Sequence, residues 1–209
     1  MWYKLKRIMM WVNNQEKQVR PPIFPYSYDF KSKTKTNLTN DWWSGTMNWT
    51  IDSWGLHWDD WWIGKQFNFS NATKITITVN INITQKSSWS SWDAGFVIAN
   101  NTSWTYKFWG WASTLTTSGY RGMSCCTWSN RTSWNNTNLA SWTWVGKSVI
   151  DLVNWTITTT YSQGGSVLAT STYNSLTATD IANIKSYTYL YVTTNWNGCY
   201  IEWISVDVN

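Results

Sequence analysis

The chain has 209 residues, of which 43% are hydrophobic, 18% aromatic and only 13% charged. That length supports one sizeable core, and the charge fraction, about half the usual ~25%, excludes a highly charged disordered tail or a coiled coil. Polarity comes from neutral groups instead, with 52 serines and threonines and 21 asparagines. No run approaches the ~20 apolar residues of a membrane-spanning helix. The opening MWYKLKRIMMWVNN lacks the unbroken apolar stretch of a secretory leader, so synthesis in the cytoplasm without a signal peptide is expected. The formal charge of +5 is concentrated: Lys4, Lys6, Arg7, Lys17, Arg20, Lys31, Lys33 and Lys35 against Glu16 and Asp29 give residues 1–35 a local +6, leaving −1 for the rest. The body is not basic, and a nucleic-acid partner is not expected.

In chain order, Lys6 to Val12 and Gln18 to Arg20 read as two short strands joined by the polar turn Asn13 to Lys17, stopped by Pro21 and Pro22. Residues 1–25 thus form a hairpin arm and linker, and residues 26–209 a single domain. The clearest strand is Lys74 to Thr84, where Ile75, Ile77, Val79, Ile81 and Ile83 alternate with polar residues. One face packs and the other meets water. Further strands are expected at Gly95 to Ala99, Ser148 to Val153, Thr156 to Tyr161, Ser186 to Thr194 and Tyr200 to Val208. One short helix is expected near residues 177–185, because Thr177 or Thr179 can cap it, Asp180 suits its N-terminal dipole, and Ile181 and Ile184 recur at helical spacing. No repeat of 20 to 50 residues is evident. The spacing suits an all-β antiparallel sandwich of the jelly-roll kind.

Tryptophan is anomalous at 21 copies, against 11 glycines and 3 prolines. Thirteen follow Asn, Asp, Ser or Thr, as in Asp41-Trp42, Ser53-Trp54, Asp60-Trp61 and Asn154-Trp155. Those are dipeptide contexts in which Asn-Gly, Asp-Gly and Ser-Gly turns belong. One reading is that many of these codons are UGA, translated here as tryptophan and in the native host as glycine. The other is true aromatic richness for stacking on sugars.

Cys125, Cys126 and Cys199 make an odd count without Cys-x-x-Cys spacing, so neither a disulfide framework nor a zinc site is implied. His57 lies in no nucleophile motif and reads as a surface loop residue. Asp59 and Asp60 read first as a turn and second as a weak calcium-ligand pair. No other ion or cofactor is implied. Ten Asn-x-Ser/Thr triplets read as sheet and turn formers rather than glycosylation sites.

The stretch YSYDFKSKTKTNLTNDWWSG, the strand KITITVNINI, the segment SSWSSWDAGFVIANN, the short helix and the final strand YIEWISVDVN together resemble a concanavalin A-like lectin/glucanase sandwich, of the broad kind that includes laminin-G-like domains. The segment IMMWVNNQEKQVRPPIFPYSYDF resembles the attachment hairpin of phage tail or tail-fibre proteins that carry such domains. The resemblance implies a virion component, present in the virion or released outside the cell by lysis. Its partners would be a cell-surface glycan or other virion proteins, with homo-oligomerisation in keeping. A binding edge is expected around Asp93, Asn100, Asn101, Trp104, Tyr106, Tyr120 and Arg121, since small polar groups can pair with hydroxyls while an aromatic covers the apolar sugar face. Retaining glycosidases of this fold resemble one another in a strand whose paired carboxylates stand about 5 Å apart. Here the only glutamates are Glu16 and Glu202, so no catalytic residue is assigned. A non-catalytic carbohydrate-binding protein is expected, with a purely structural virion subunit as the alternative and a sandwich glycosidase disfavoured.

Overall fold

The computed structural model describes residues 8–12, 15–19, 22–45, 50–57, 63–83, 91–99, 107–115, 120–125, 131–135, 142–186, 189–194 and 199–209. In chain order the elements are β1 (Ile8–Val12), β2 (Gln15–Val19), β3 (Tyr26–Asp29), a 3-10 turn (Phe30–Ser32), α1 (Lys35–Asn40), β4 (Trp43–Gly45), β5 (Thr50–Asp52), β6 (Gly55–His57) and β7 (Ile63–Gln66). There follow β8 (Lys74–Ile83), β9 (Ser91–Ala99), β10 (Lys107–Leu115), β11 (Tyr120–Cys125), β12 (Arg131–Asn135), β13 (Trp142–Asp151), β14 (Thr156–Gln163), β15 (Ser166–Tyr173), α2 (Ala178–Ser186), β16 (Tyr189–Thr194) and β17 (Cys199–Val208).

Apart from the two-stranded β1–β2 sheet, the strands form two antiparallel sheets. One runs β12-β11-β10-β9-β16-β7-β4, and the other β15-β14-β13-β8-β17-β6-β5 with β3 also paired to β17. The long strand β8 shows why they close on each other. Ile75, Ile77, Val79 and Ile81 are at most 2% exposed, while Thr76 and Thr78 between them are half-buried on the outer face. Beside β8, β17 turns Ile201, Ile204 and Val206 inward, and the opposite sheet supplies Ile63, Phe96, Ile98, Leu190 and Val192. Each such side chain contributes about 1.5–3 kcal/mol by leaving water. One polar pair enters this layer on β13 and β14, where Ser148 Oγ and Thr159 Oγ1 lie 2.8 Å apart and satisfy each other.

The expected helix is present, and the structure selects its cap: the Thr177 hydroxyl accepts the Asp180 N–H at 3.2 Å while the Asp180 carboxylate accepts the Thr177 N–H at 2.8 Å. Ile184 is fully buried beneath it. A second short helix, α1, was not expected. Its capping box joins Thr34 to Asn37, an amide in place of the Glu or Gln that ordinarily signals a helix start. Strands β4 to β7 also escape the alternation test, because three or four residues are too few to establish a period. The N-terminal hairpin is tighter than expected: Val12 pairs with Gln15, so Gln15 to Lys17 belong to β2 rather than to a turn.

Two non-glycine residues among those described have left-handed backbone, and both are tryptophans. Trp42, at φ 66°, follows the α1 C-cap Asp41, the position where glycine ordinarily ends a helix. Trp155, at φ 61°, closes the loop between the paired residues Asp151 and Thr156 and is 45% exposed. A side chain there places Cβ against the following carbonyl. Trp42→Gly and Trp155→Gly are each expected to stabilise the fold by about 1 kcal/mol, net of glycine's greater freedom in the unfolded chain. A higher urea midpoint at unchanged slope would register this, and a lower one would contradict it.

The loop before Trp155 is tied by Asp151, whose Oδ1 accepts the N–H groups of Val153 and Asn154 at 3.1 and 2.9 Å and whose Oδ2 accepts Asn154 Nδ2 at 3.0 Å. Asn154, above all, holds the Asp151 carboxyl down to about 2, with Val153 and Lys74 adding to the effect. A depressed carboxylate stabilises above its unfolded value, near 3.9, and that contribution is lost as pH falls through about 2. Asp151→Asn is therefore expected to lower stability at pH 7 and to flatten the acid limb between pH 4 and 2 in a denaturation series.

Candidate functional site

Three residues of the expected binding edge, Asp93, Tyr120 and Arg121, fall in described strands of the seven-stranded sheet. Asp93 is the extra residue of a bulge on β9, between the pairs Ala94–Ala112 and Trp92–Ser113. On β11, Tyr120 pairs with Leu115 and Arg121 with Thr114, whose other neighbour is Ser91. Asp93, Tyr120 and Arg121 thus share the Ser91 end of the seven-stranded sheet, with β10 between them. Ala99, six residues further along β9, is about 20 Å away. Asn100, Asn101, Trp104 and Tyr106 follow Ala99 and lie outside the described residues, as do Asp59 and Asp60. No cluster of three or more His, Cys, Asp or Glu residues able to hold a metal occurs among the described residues.

Towards the Ala99 end, β16 places two tyrosines on the outer face of the same sheet. The rung through Tyr191 runs Trp109–Val97–Tyr191–Gly64–Ser44, and the rung through Tyr189 joins Ala99 and Gln66. Leu190 and Val192, on the alternate rungs, are fully buried in the core. The two rings stack at 5.7 Å and 20°. Tyr191 lies flat against Gly64, where a Cβ would come 2.4 Å from its Cδ1 and Cε1 atoms, so the residue opposite must be glycine. Burial, with Tyr189 beside it, pushes the Tyr191 phenol up to about 12. Tyr189 is half-buried. The period-two tyrosines of SYTYLYV carry the signal for this platform, which the expected site did not include.

On the inner face of β7, between the two tyrosine rungs, is an aromatic box. Lys65 shares the inward rung of Leu190, Ile98 and Trp43 and is 7% exposed. Its ammonium donates to the Asp41 carbonyl and sits 5.4 Å from the Tyr26 ring and 6.0 Å from that of Trp43. The Tyr28 hydroxyl donates to Asp41 Oδ2 at 2.8 Å. Burial holds Lys65 down to about 8 against an opposing attraction from Asp41, and desolvation raises Tyr26 and Tyr28 above the usual phenol range.

On the eight-stranded sheet, Glu202 is the bulged residue of β17, between the paired Ile201 and Trp203. Its carboxylate accepts Lys31 Nζ and Asn82 Nδ2, each at 3.2 Å, and Asn80 Nδ2 at 2.9 Å. A carboxylate so occupied is a poor nucleophile, and no second carboxylate stands opposite it among these contacts. His57, expected at the surface, lies in β6 with its side chain 19% exposed, its Nε2 3.1 Å from Asp52 Oδ2 and its ring 4.8 Å from Tyr200. Its burial follows from the pairing of β6 with β17, which an isolated histidine in the sequence does not announce.

No family model and no curated protein matches the chain. Solved structures do. Lectin I from Ulex europaeus, in complex with the methyl glycoside of α-L-fucose, is 11% identical and superposes with a TM-score of 0.60 over 87% of this chain and 96% of its own. Winged bean acidic lectin complexed with methyl-α-D-galactose gives 0.60 at 11% identity over 88% and 98%. An endo-1,3-β-glucanase from Streptomyces sioyaensis gives 0.54 at 12% identity over 90% and 98%. The chain therefore has the concanavalin A-like sandwich fold, shared by lectins and a glucanase alike. At such identities the likeness is one of fold alone.

The Lys65 box has a pH signature. Between the folded value near 8 and the unfolded value near 10.4, the unfolded chain binds the extra proton, so stability rises with pH. Above about pH 10 unfolded tyrosines ionise while Tyr26 and Tyr28 do not, which reverses the slope. Urea denaturation from pH 7 to 10 should show the rise in the wild type and lose it in Lys65→Met; a flat wild-type profile would contradict a lysine whose proton is loosened by burial in the box.

Proposed function

We propose that this chain is a non-catalytic carbohydrate-binding protein carried on a virion, of the phage tail or tail-fibre kind. Its sandwich, residues 26–209, meets a cell-surface glycan, and residues 1–25 form an attachment or oligomer-forming arm. The observation that carries the reading is the Tyr189–Tyr191 stack on the outer face of the seven-stranded sheet, in which Tyr191, 6% exposed, backs the half-buried Tyr189, in a fold whose solved neighbours include lectins holding sugars. Apolar sugar faces bind such rings, while Gln66 on the neighbouring strand offers both a donor and an acceptor. The tethered Glu202 favours binding over glycosidic cleavage. In this reading the protein is made in the cytoplasm and released by lysis.

A structural subunit that recognises only other virion proteins is the second reading. It is favoured by the β1–β2 hairpin, which forms a two-stranded sheet of its own rather than an edge of the sandwich. A glycan array bearing galactosides, fucosides and 1,3-β-glucans separates the two. Saturable binding that weakens about tenfold in Tyr189→Ala is expected; a folded protein silent on every glycan would favour the structural subunit, and release of reducing sugar would favour a glycosidase.

We further propose that Trp42 and Trp155 arise from UGA codons read as glycine in the native host. Their left-handed backbone supports this, and UGG at either position in the gene would exclude it there.

A further inference from the structure

We propose that the outer face of the eight-stranded sheet holds a second saccharide site, centred on Tyr200 and separate from the tyrosine stack of the other sheet. It rests on the carbohydrate-binding reading and adds to it a location and a ligand chemistry. The single β6–β17 pair, Leu56 with Ile201, sets His57 beside Tyr200 and Gly55 beside Glu202, while Asn82 pairs with Tyr200 from β8. Polar and aromatic side chains from four strands meet there. Trp54, in the tight β5–β6 turn, is 50% exposed and its ring lies 6.3 Å from that of Tyr200 at 40°. Unlike Trp42 and Trp155, it does not have left-handed backbone. Gly55 is required here, since a Cβ would fall 2.4 Å from the Ile201 carbonyl oxygen.

The second observation is a deficit of partners. Asn80 is 8% exposed, and although its Nδ2 donates to Glu202, its Oδ1 is buried without a hydrogen bond. His57 Nδ1 is buried and unpartnered as well, its Nε2 being turned to Asp52. Folding strips water from both atoms without replacing it. They lie two strands apart and two residues apart along the ladder, a span of about 12 Å between backbones that a saccharide and its hydroxyls can bridge.

The chemistry favours hydroxyls over anions. Asn80 Oδ1 and the Asp52 carboxylate accept, Glu202 brings a second negative charge, and Lys31, 44% exposed at its side chain, is the one lysine or arginine in contact among the described residues. An anion would meet two carboxylates against one ammonium. A neutral diol can donate to Asn80, exchange a hydrogen bond with His57 Nδ1, accept from Lys31 and lay its C–H face on Tyr200 and Trp54.

The full chain, isotopically labelled, is titrated with methyl α-D-galactoside, methyl α-L-fucoside and a 1,3-β-gluco-oligosaccharide while its NMR signals are followed. For at least one sugar, the Trp54 indole N–H and the side-chain amides of Asn80 and Asn82 should shift saturably. Tyr200→Ala and Trp54→Gly should each weaken that response tenfold or more, whereas Tyr189→Ala should leave it intact. Because the wild-type signals report directly, an unfolded variant does not obscure the result. Sugar binding with shifts confined to β16 and its neighbours would overturn this site and leave the proposed function standing. No response to any sugar, here and on the array, would overturn both.

Discussion

The structure depends on one constraint, the pairing of β8 with β17 at the centre of the eight-stranded sheet. These ten-residue strands run antiparallel, and the isoleucines and valines they turn inward form the floor on which the other sheet rests. Because side chains alternate with a period of two, slipping either strand by one residue would carry Ile77 and Ile204 to water and Asn80 into the core. A floor defined this strictly tolerates irregularity elsewhere. Strands of three residues at β4, β5 and β6 survive because longer strands hold them in place.

The single interruption of that pairing is also its most polar point. One extra residue at Glu202 breaks the register between Ile201 and Trp203, and the carboxylate set there gathers Lys31 from the 3-10 turn and Asn80 and Asn82 from β8. A buried carboxylate is tolerable only when so surrounded. The same bulge aligns β6 so that His57 reaches Tyr200 on one side and Asp52 on the other. On the other sheet Asp93 occupies a comparable bulge. Both residues thus fall where a ladder is broken, which is where backbones bend.

The tryptophans divide by environment. Trp43 packs at 3% exposure against Tyr28 and Phe30, with centroids at 5.5 and 5.3 Å, and walls the Lys65 box. Trp54 has ordinary backbone and a half-exposed ring, whereas Trp42 and Trp155 hold backbone angles that suit a residue with no Cβ. Residue type alone joins these positions. Backbone conformation separates them.

Much of the scaffold was legible in the order of residues. The strict alternation of KITITVNINI marked β8, the runs from Thr156 and Tyr200 marked β14 and β17, and Thr177 with Asp180 marked the start of α2, since each is a local preference acting over neighbouring residues. The Asx–tryptophan dipeptides marked the turns at Trp42 and Trp155 for the same reason. What tertiary structure decided was everything that depends on distant segments meeting. Asp93, Tyr120 and Arg121 share one end of a sheet, while Ala99, which leads to the remaining residues of the expected edge, lies at the other. Gly64 lies under Tyr191, 127 residues away in the chain, and Asn80 finds Glu202 across 122. Composition and spacing specify which residues face in or out, but only the order of strands in the sheets determines which of them become neighbours.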